Sequence, residues 1–489
     1  MLFGSDTRFQ RRSMIEHANV SIPQDIQRTQ TLGETIYAAR RIAQWSRGIG
    51  LEEAPPDVVH IAKRCAIDTL GVILVGSRHH AVGKVRNQAE RIFAVGHSTV
   101  FGGASLSAPG AALVNGMAAH VFDFDDTSYT GIMHGSAVVF PATLAAVQHG
   151  GGNGKLFLEA FLAGSEVTYA LAMALGTGHY FKGWWSTATF GTVGAAAAAA
   201  RALDLDEEQT LSAVAIAAVQ ASGMKAVFGT DAKPLVCGKA AQDGVEAATM
   251  AACGINGPES AFEDDRGYYA LLGNGSVEGA QIERLGEVWR LVEPGIMFKR
   301  YPVCSAAHAA TELTCALVER HSLSPDDIRR VVCRVPRLVR ISLVYDSPQT
   351  PQQAQFSLPF SVGCALTHGN ITPAHISSGT LGDPTLIAEM AKIVIEEDPS
   401  LAEGDLARRY PECAVVRLEL NDGRIFEDFL GEPTGMPGNP MSDEALEEKF
   451  RTCAGSAGFP SKKIERILEI FWHIELYDDV SRLFDETKV

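Results

Sequence analysis

Apolar residues recur at helical spacing along most of the chain. This pattern predicts helices rather than strands over the first three hundred residues. The double proline Pro55-Pro56 separates the first two predicted helices. The run before the first acidic cluster is rich in Ala and Gly, which predicts a closely packed, buried helix. The helical segments predicted in this half are 35–48, 56–76, 85–93, 107–121 and three helices within 155–223.

Strand spacing appears only after about Pro294, where the composition changes. Residues 330–335 predict one strand, and apolar residues alternate with polar ones over 416–420. Asn421-Asp-Gly423 is a turn sequence that joins this alternation to 424–430, so a β-hairpin is expected. Helical patterns return at 442–453 and 462–475. The chain is therefore predicted to be mainly α, with a small α+β region.

Charge limits the ligands that the protein can bind. The chain has 489 residues and a formal net charge of −16, which argues against nonspecific nucleic-acid binding. An anionic substrate would need a local basic site to offset this field. Lys233, Lys299 and Arg300 are the candidates.

Cysteine usage and apolar runs bear on the compartment. Nine cysteines are scattered without a C-x-x-C pair, which favours a reducing compartment without a disulfide framework or structural zinc. The first residues carry three arginines but no apolar core of signal-peptide length. The apolar run 156–176 is interrupted by Glu159 and Glu166. A soluble, cytoplasmic protein without a membrane partner is expected.

The richest chemistry lies at the end of the predicted helix 107–121. Asp123, Asp125 and Asp126 fall within four positions, and Thr127, Tyr129 and His134 follow. Clustered titratable groups perturb one another's pKa and are typical of functional sites. The alternative is a solvated helix end with a capping Asp, and for an arbitrary D-x-D-D motif that alternative is the more common one. A second motif, the glycine run 150–152, lacks a G-x-S-x-G partner and the Walker A spacing, so it is interpreted as a helix-to-helix turn.

Six motifs in order give the chain a clear family resemblance. It resembles the MmgE/PrpD family from about Leu32 to about Arg466, through VNGMAAHVFDFDDT (114–127), GHYFKGWWSTATFGTVGAAAAAA (178–200), KPLVCGKAAQDG (233–244), KRYPVCSAAH (299–308), AQFSLPFSVGCAL (354–366) and MSDEALEEKF (441–450). The resemblance implies a large all-helical domain (34–293) interrupted by a smaller α+β lid domain (294–435). Helices of 436–489 return to the helical domain, and 1–33 form an N-terminal extension.

The resemblance also implies an active site between the helical and lid domains. Its expected catalytic residues, carried over motif by motif, are Asp123, Thr127, His134, Lys233 and His308. Lys233, with Arg300, would hold substrate carboxylates, and the two histidines would exchange protons. The substrate-binding residues expected beside them are Arg300, Trp185, Tyr129, His179 and Tyr180.

Two positions depart from the family pattern. Members commonly carry G-W-H-P-T-A-T, whereas this chain has Trp185 at the position of that histidine. Val236 likewise replaces the histidine of the family's K-P-L-H. An indole N–H donates a hydrogen bond but does not take up a proton at neutral pH. The usual proton chemistry is therefore expected to have diverged.

The function implied by the resemblance is that of a lyase without cofactor or metal. It would act beside a carboxylate of a di- or tricarboxylic acid, with dehydration as the leading reaction. A cis-aconitate-type decarboxylase, an iminodisuccinate-type epimerase and a non-catalytic family member are the alternatives. A homodimer is expected. A terpene cyclase is a further hypothesis, because Asp123 to Asp126 form a literal D-x-D-D motif.

Overall fold

The structure, a computed structural model, describes residues 37–483, so the predicted extension 1–33 lies outside the described residues. Helices make up most of this part, which confirms the mainly α fold class. The helices of the first half are α1 Ala38–Gly48, α2 Pro56–Gly76, α3 His80–Ile92, α4 Ala108–His120, α5 Ser136–Gly150, α6 Gly154–Leu175, α7 Gly178–Phe181, α8 Ser186–Ala202, α9 Glu207–Gln220, α10 Ala232–Ala252, α11 Tyr268–Leu272 and α12 Ala280–Glu283.

The second half combines short helices with strands. Its helices are α13 His308–Arg320, α14 Arg337–Ser342, α15 Pro351–Ala354, α16 Leu358–His368, α17 Ser378–Leu381, α18 Pro384–Met390, α19 Gly404–Arg409, α20 Asp443–Ser456, α21 Ser461–Trp472 and α22 Val480–Leu483. The strands of the described chain are β1 Val95–Ser98, β2 Ile328–Val335, β3 Ile393–Glu397, β4 Ala414–Leu420 and β5 Ile425–Leu430.

Four strands form one mixed sheet in the order β3-β2-β4-β5. Strand β2 pairs with β3 in parallel and with β4 in antiparallel orientation, and β4 pairs with β5. The predicted hairpin is confirmed, since residues 421–423 connect β4 to β5 with Gly423 at a φ of 90°. Helix α13 packs on this sheet.

Small residues let the central helices approach closely. Helices α4, α5, α6, α8 and α10 contact one another and are buried along most of their length. A Cβ atom on Gly238 would lie 2.2 Å from the carbonyl oxygen of Leu113, and one on Gly116 would lie 2.8 Å from the Cα of Gly238. Only glycine fits this crossing of α4 and α10, which brings the start of α10 beside the end of α4.

The C-terminal helices pack against the beginning of the chain. Lys449 on α20 lies 2.6 Å from a carboxylate oxygen of Asp68 on α2 and donates to the carbonyl oxygen of Phe124 at 2.7 Å. Arg64 on α2 forms an ion pair with Asp443. These ion pairs and the hydrogen bond to Phe124 connect α20 to α2 and to the acidic segment. The domain boundaries themselves stay a prediction.

Helix α6 is long and apolar enough to cross a membrane by composition, but it is a core helix of this fold, with 89% of its most apolar window buried in the protein. Both of its interrupting acids have partners. Glu159 pairs with Arg201 at 2.6 Å, and Glu166 accepts from the backbone N–H groups of Arg290 and Leu291.

Candidate active site

The end of α4 builds the core of the site. His120 is the last residue of the helix, and the N–H of Asp123 donates to the carbonyl oxygen of His120 at 3.0 Å. Asp123 has a φ of 49°, a left-handed conformation that Asp tolerates better than most residues. This turn brings the side chains of His120 and Asp123 together inside the protein. The interpretation of the motif as a solvated helix end is wrong, because Asp123 is 2% exposed and Asp125 and Asp126 are 0% exposed.

Asp123 holds two buried ammonium groups. Nζ of Lys233 donates to its Oδ1 at 2.7 Å, and Nζ of Lys299 donates to its Oδ2 at 3.1 Å and to its carbonyl oxygen at 2.8 Å. Lys233 reaches it from the first turn of α10. Lys299 reaches it because residues 127 and 297 exchange two backbone hydrogen bonds. One carboxylate thus carries two cations, and the charge of the second is balanced by Asp125, whose lowered pKa keeps it ionised.

Asp125 contacts two imidazoles. Its carboxylate oxygens lie 2.9 and 3.0 Å from Nδ1 of His120, and Oδ2 lies 3.1 Å from Nδ1 of His134. Nε2 of each histidine lies 3.7 Å from Oδ1 of Asp123. Nε2 of His120 also contacts Nζ of Lys233. The two histidines therefore lie between two carboxylates. Asp125 lies on the Nδ1 side of both rings, and Asp123 with its two lysines lies on the Nε2 side.

Aromatic rings close the other side of Lys233. Its Nζ lies 5.3 Å from the ring centroid of Trp185, 5.4 Å from that of Phe228 and 5.1 Å from that of Phe356. The ring of Trp185 is also 5.3 Å from that of His120. Trp185, which stands where the family carries a histidine, is thus part of the wall around the cluster and is 1% exposed.

Opposite charges set the ionisation of the cluster. Burial alone would raise the pKa of Asp123, but the charges of Lys233 and Lys299 bring that pKa well below its usual value. Burial alone would lower the pKa of Lys299, and the charge of Asp123 outweighs it, so this pKa is raised. Burial lowers the pKa of His120 to about 4, against the opposing effect of Asp125. At neutral pH the cluster holds charged Asp123 and Lys299 beside a neutral His120.

The third carboxyl of the motif behaves differently. Burial, and next the charge of Asp68, raise the pKa of Asp126 to about 7. Neither of its carboxyl oxygens has a hydrogen-bond partner among the described residues. Asp126 is therefore largely protonated below neutral pH and contributes little negative charge to the site.

Four of these side chains could in principle hold a metal ion. His120, Asp123, Asp125 and His134 offer ligand atoms that lie within 4.8 Å of one another. Nζ of Lys233, however, lies between His120 and Asp123, and Lys299 occupies the other oxygen of Asp123. A divalent cation here would meet two ammonium charges at close range. The arrangement favours the lysines as the cations of this site.

Three further predicted residues, Thr127, Tyr129 and Tyr180, contact groups outside the cluster. The hydroxyl of Thr127 donates to the carbonyl oxygen of Met133 at 3.0 Å, so it stabilises the loop before His134 rather than the imidazole. Tyr129 donates to a carboxylate oxygen of Glu412 at 2.6 Å. Tyr180 is buried, and Nζ of Lys225 lies 3.5 Å from its ring centroid.

His308 lies at the start of α13, fully buried against Tyr301. Neither of its ring nitrogens has a hydrogen-bond partner among the described residues. Burial, and next the charge of Lys299, lower its pKa to about 3, so His308 is neutral at the edge of the lysine pair.

Two predicted residues have other partners. His179 donates from Nδ1 to the carbonyl oxygen of Leu272 at 2.8 Å, and its Nε2 forms a hydrogen bond with the hydroxyl of Thr189 at 2.7 Å. Arg300 is half-exposed, 4.0 Å from Glu312, and lines a separate cavity of about 420 Å³ beside Phe124. The structure does not bring either of them to the Asp123 cluster.

His120 and Asp125 are site residues that the sequence analysis missed. Both stand in the motif that was singled out, and His120 lies three residues before Asp123. Residues at that spacing share one side of a helix, which was the available signal. The left-handed turn at Asp123 decides which acid faces which base. The pattern of apolar and polar residues does not predict this turn.

The space in front of the cluster is small. A cavity of about 10 Å³ lies between His120, Lys233 and Phe356 and the segment 229–231. That is about the space that one water molecule needs. Gln352 donates to Asp231 at 2.7 Å across its mouth, and Tyr345 donates to the carbonyl oxygen of Phe228 at 3.2 Å. This cavity is therefore too small for a di- or tricarboxylic acid.

Comparisons with known proteins cover nearly all of the described chain. The model of the MmgE/PrpD N-terminal domain matches residues 40–279, and that of the MmgE/PrpD C-terminal domain matches 301–476. The chain is similar to cis-aconitate decarboxylase of Homo sapiens, with 30% identity over 440 residues, covering 87% of this chain and 89% of that protein. It is also similar to cis-aconitate decarboxylase of Mus musculus, with 28% identity over 89% of this chain and 90% of that protein. A third relative is cis-aconitate decarboxylase of Aspergillus terreus, with 25% identity over 91% of this chain and 94% of that protein.

These matches set the terpene cyclase hypothesis aside, because both halves of the chain match one family of enzymes in the predicted order. The protein belongs to the MmgE/PrpD family.

Proposed function

We propose that the protein is a cofactor-independent lyase that removes a carboxyl group from a di- or tricarboxylic acid of the cis-aconitate type. The observation that carries this proposal is the pair of buried ammonium groups of Lys233 and Lys299, gathered on one carboxylate beside two histidines. Relatives named for decarboxylation match along nearly the whole chain and support the choice of reaction.

The two ammonium groups suit this reaction, and the carboxylate that balances the second of them, Asp125, lies on the far side of the histidines. When a carboxylate leaves as CO₂, the bonding electron pair stays on the substrate and must be delocalised into a remaining carboxylate. Two ammonium groups held against one aspartate provide a preorganised positive field in a water-poor site, where such interactions are strongest. Lys233 already uses N–H groups toward Asp123 and His120, which leaves its third N–H for a substrate carboxylate.

Proton accounting also favours decarboxylation over dehydration. Dehydration requires a base that takes a proton from carbon and an acid that gives one to the departing hydroxyl. Decarboxylation requires one proton, delivered to the carbon that keeps the electron pair. Trp185 stands where the family carries a histidine and transfers no proton. His134, the partly exposed imidazole of the cluster, remains as the carrier of this proton: its Nε2 takes up a proton from solvent and then delivers it to the substrate carbon.

Substrate entry requires the closed site to open. A tricarboxylate does not fit a cavity of about 10 Å³. The segments on its two sides are 229–231 and 352–356, joined across the mouth by Gln352 and Asp231. We infer that these segments separate to admit the substrate and then close, which excludes water from the reacting carbon.

The test is a proton NMR screen in D₂O with cis-aconitate, citrate, 2-methylcitrate and iminodisuccinate. Loss of cis-aconitate with release of CO₂ and one deuterium in the product is the expected result. Lys233→Met should abolish this turnover. Lys239→Met is the matched control, because Lys239 lies on the same helix but pairs at the surface with Asp243. Loss of water from citrate or 2-methylcitrate, with cis-aconitate unchanged, would replace the proposal by the dehydratase-type reaction.

A further inference from the structure

Asp125 was absent from the predicted catalytic set, and its contacts give it a specific role. We propose that Asp125 is a positioning residue that fixes both site histidines as Nδ1–H tautomers, so that His120 anchors Lys233 and His134 alone exchanges protons with the substrate. The tautomer assignment does not depend on the proposed reaction. The role of His134 in proton exchange rests on that reaction.

The tautomer of His120 follows from its two partners. An ammonium group has N–H donors and no acceptor, so the Nε2 that contacts Nζ of Lys233 must be the unprotonated nitrogen. Nδ1 then carries the hydrogen, which it donates to Asp125 at 2.9–3.0 Å. All three side chains are nearly or fully buried, so water does not substitute for any of these contacts. His120 therefore has both nitrogens occupied and no site left for a substrate proton.

His134 has the same orientation as His120, but its Nε2 has different neighbours. Its Nδ1 lies 3.0 Å from the carbonyl oxygen of Asp126 and 3.1 Å from Oδ2 of Asp125, both of them acceptors. The hydrogen on this ring therefore also sits on Nδ1. Its Nε2 faces Asp123 at 3.7 Å, beyond hydrogen-bond distance, and the side chain is 13% exposed. Nε2 of His134 is thus the imidazole nitrogen that remains available to a substrate.

Asp125 thereby gives both rings the same tautomer, and the contact of Lys233 with His120 alone gives them different tasks. Asp123 does not serve this purpose, because its oxygens hold Lys233 and Lys299. For catalysis, fixing the tautomer matters more than the strength of the hydrogen bond itself. An imidazole protonated on the wrong nitrogen presents a donor where an acceptor is needed. In this arrangement Asp125, rather than Asp123 or Thr127, orients the histidines.

Long-range ¹H–¹⁵N NMR of the full chain labelled with [¹⁵N]histidine tests this assignment directly. His120→Gln and His134→Gln identify the two sets of signals. In the unaltered protein at pH 7.5, both rings should show protonated Nδ1, with Nε2 of His120 unprotonated. In Lys233→Met, His120 should keep this tautomer, because Asp125 rather than Lys233 sets it. A protonated Nε2 on His120, in either protein, would overturn the proposal.

Asp125→Asn probes the carboxylate itself. The Nδ1–H proton of His120 should lose the downfield shift of a charge-assisted hydrogen bond. Asp126→Asn is the matched control, since Asp126 is equally buried but its side chain contacts neither histidine. Its spectrum should match that of the unaltered protein. Unchanged His120 signals in Asp125→Asn would contradict the role, and the tautomers of the unaltered protein decide the matter if this variant does not fold.

Kinetics separates positioning from mere structural support. Asp125→Asn should lower kcat about 10²-fold with KM nearly constant, since the substrate still meets both lysines. An equal loss through KM alone would contradict the role. If none of the four acids reacts, the proposed function fails while the tautomer assignment still stands or falls on the spectra.

Discussion

Lys233→Met tests whether the lysine pair is structural, catalytic or both. A single flexible ammonium group usually contributes little to a core, so the sequence alone predicts that Lys233→Met leaves the fold intact. The structure shows a 4% exposed side chain that bonds to Asp123 and His120. Removing one partner of a buried ion pair costs about 3–5 kcal/mol, because the remaining charge is left without compensation. The expectation of an unperturbed fold therefore needs revision.

Lys299 limits the damage. It stays within 3.1 Å of Asp123 in the variant, so that carboxylate keeps one cation. We therefore expect a loss of about 3 kcal/mol in the free energy of unfolding, at the low end of the range. Domains are commonly stable by about 5–15 kcal/mol, so the variant should fold at 25 °C. The control Lys239→Met breaks a surface i,i+4 pair and should cost no more than about 0.5 kcal/mol.

The assay combines urea unfolding, followed by circular dichroism, with turnover at pH 7 and pH 3. The pKa of Asp123 is depressed in the folded protein. Its stabilisation is therefore present above its unfolded pKa of about 4 and is lost as pH falls through the folded value. Removing Lys233 raises that folded pKa, so the stability gap between the two proteins should narrow at pH 3. Equal unfolding midpoints at pH 7 would refute the charge-pair argument, and retained turnover would refute the catalytic role.

Three further outcomes follow from other contacts. Trp185 removes a proton carrier from the family pattern, so wild-type turnover of 2-methylcitrate should be weak or absent, and efficient dehydration that Trp185→Ala leaves undiminished would contradict this. Gln352→Leu deletes the bond to Asp231 across the site mouth, worth about 1 kcal/mol, and should lower KM up to about 5-fold by favouring the open form; an unchanged KM would show that the bond does not gate entry. Asp126 has a raised pKa, so its contribution to the free energy of unfolding is most favourable below about pH 4 and declines up to about pH 7. Urea unfolding should therefore show the free energy of unfolding of Asp126→Asn rising by up to about 2 kcal/mol relative to the wild type between pH 5 and pH 7. Parallel pH profiles of the two proteins would count against a protonated Asp126.

Local sequence chemistry predicted much of the fold because each signal had a short-range cause. Asp206 caps α9 in a reciprocal box with Gln209, a helix-start signal contained within four adjacent residues. The Asn421 to Gly423 turn joins two alternating strands as expected. The crossing of α4 and α10 could not be predicted in this way. It depends on Gly116 and Gly238, which lie more than a hundred residues apart and meet only in the folded protein.

The residues of the candidate site divide in the same way, into those that local motifs predict and those whose contacts depend on distant parts of the chain. Asp123, His134 and Lys233 were located through motifs, and the structure brings them together around the end of α4. Lys299 was noted only as a candidate cation, because its contact with Asp123 depends on the pairing of residues 127 and 297. Arg300, its neighbour in the same motif, points to another cavity. Adjacent residues in an extended segment face opposite sides, so a motif alone could not choose between them.

Three carboxyl groups within four residues have three different electrostatic roles, and the backbone explains why. The left-handed turn at Asp123 directs its side chain to Lys233 and Lys299, which lower its pKa. Asp125 meets two imidazoles, and its pKa is lowered as well, because the histidines outweigh burial. Asp126 meets no cation and lies near Asp68, so its pKa rises to about 7. Identical side chains thus become a holder of cations, an orienter of imidazoles and a buried acid that is half-protonated near pH 7, which is why the D-x-D-D pattern by itself could not identify the chemistry.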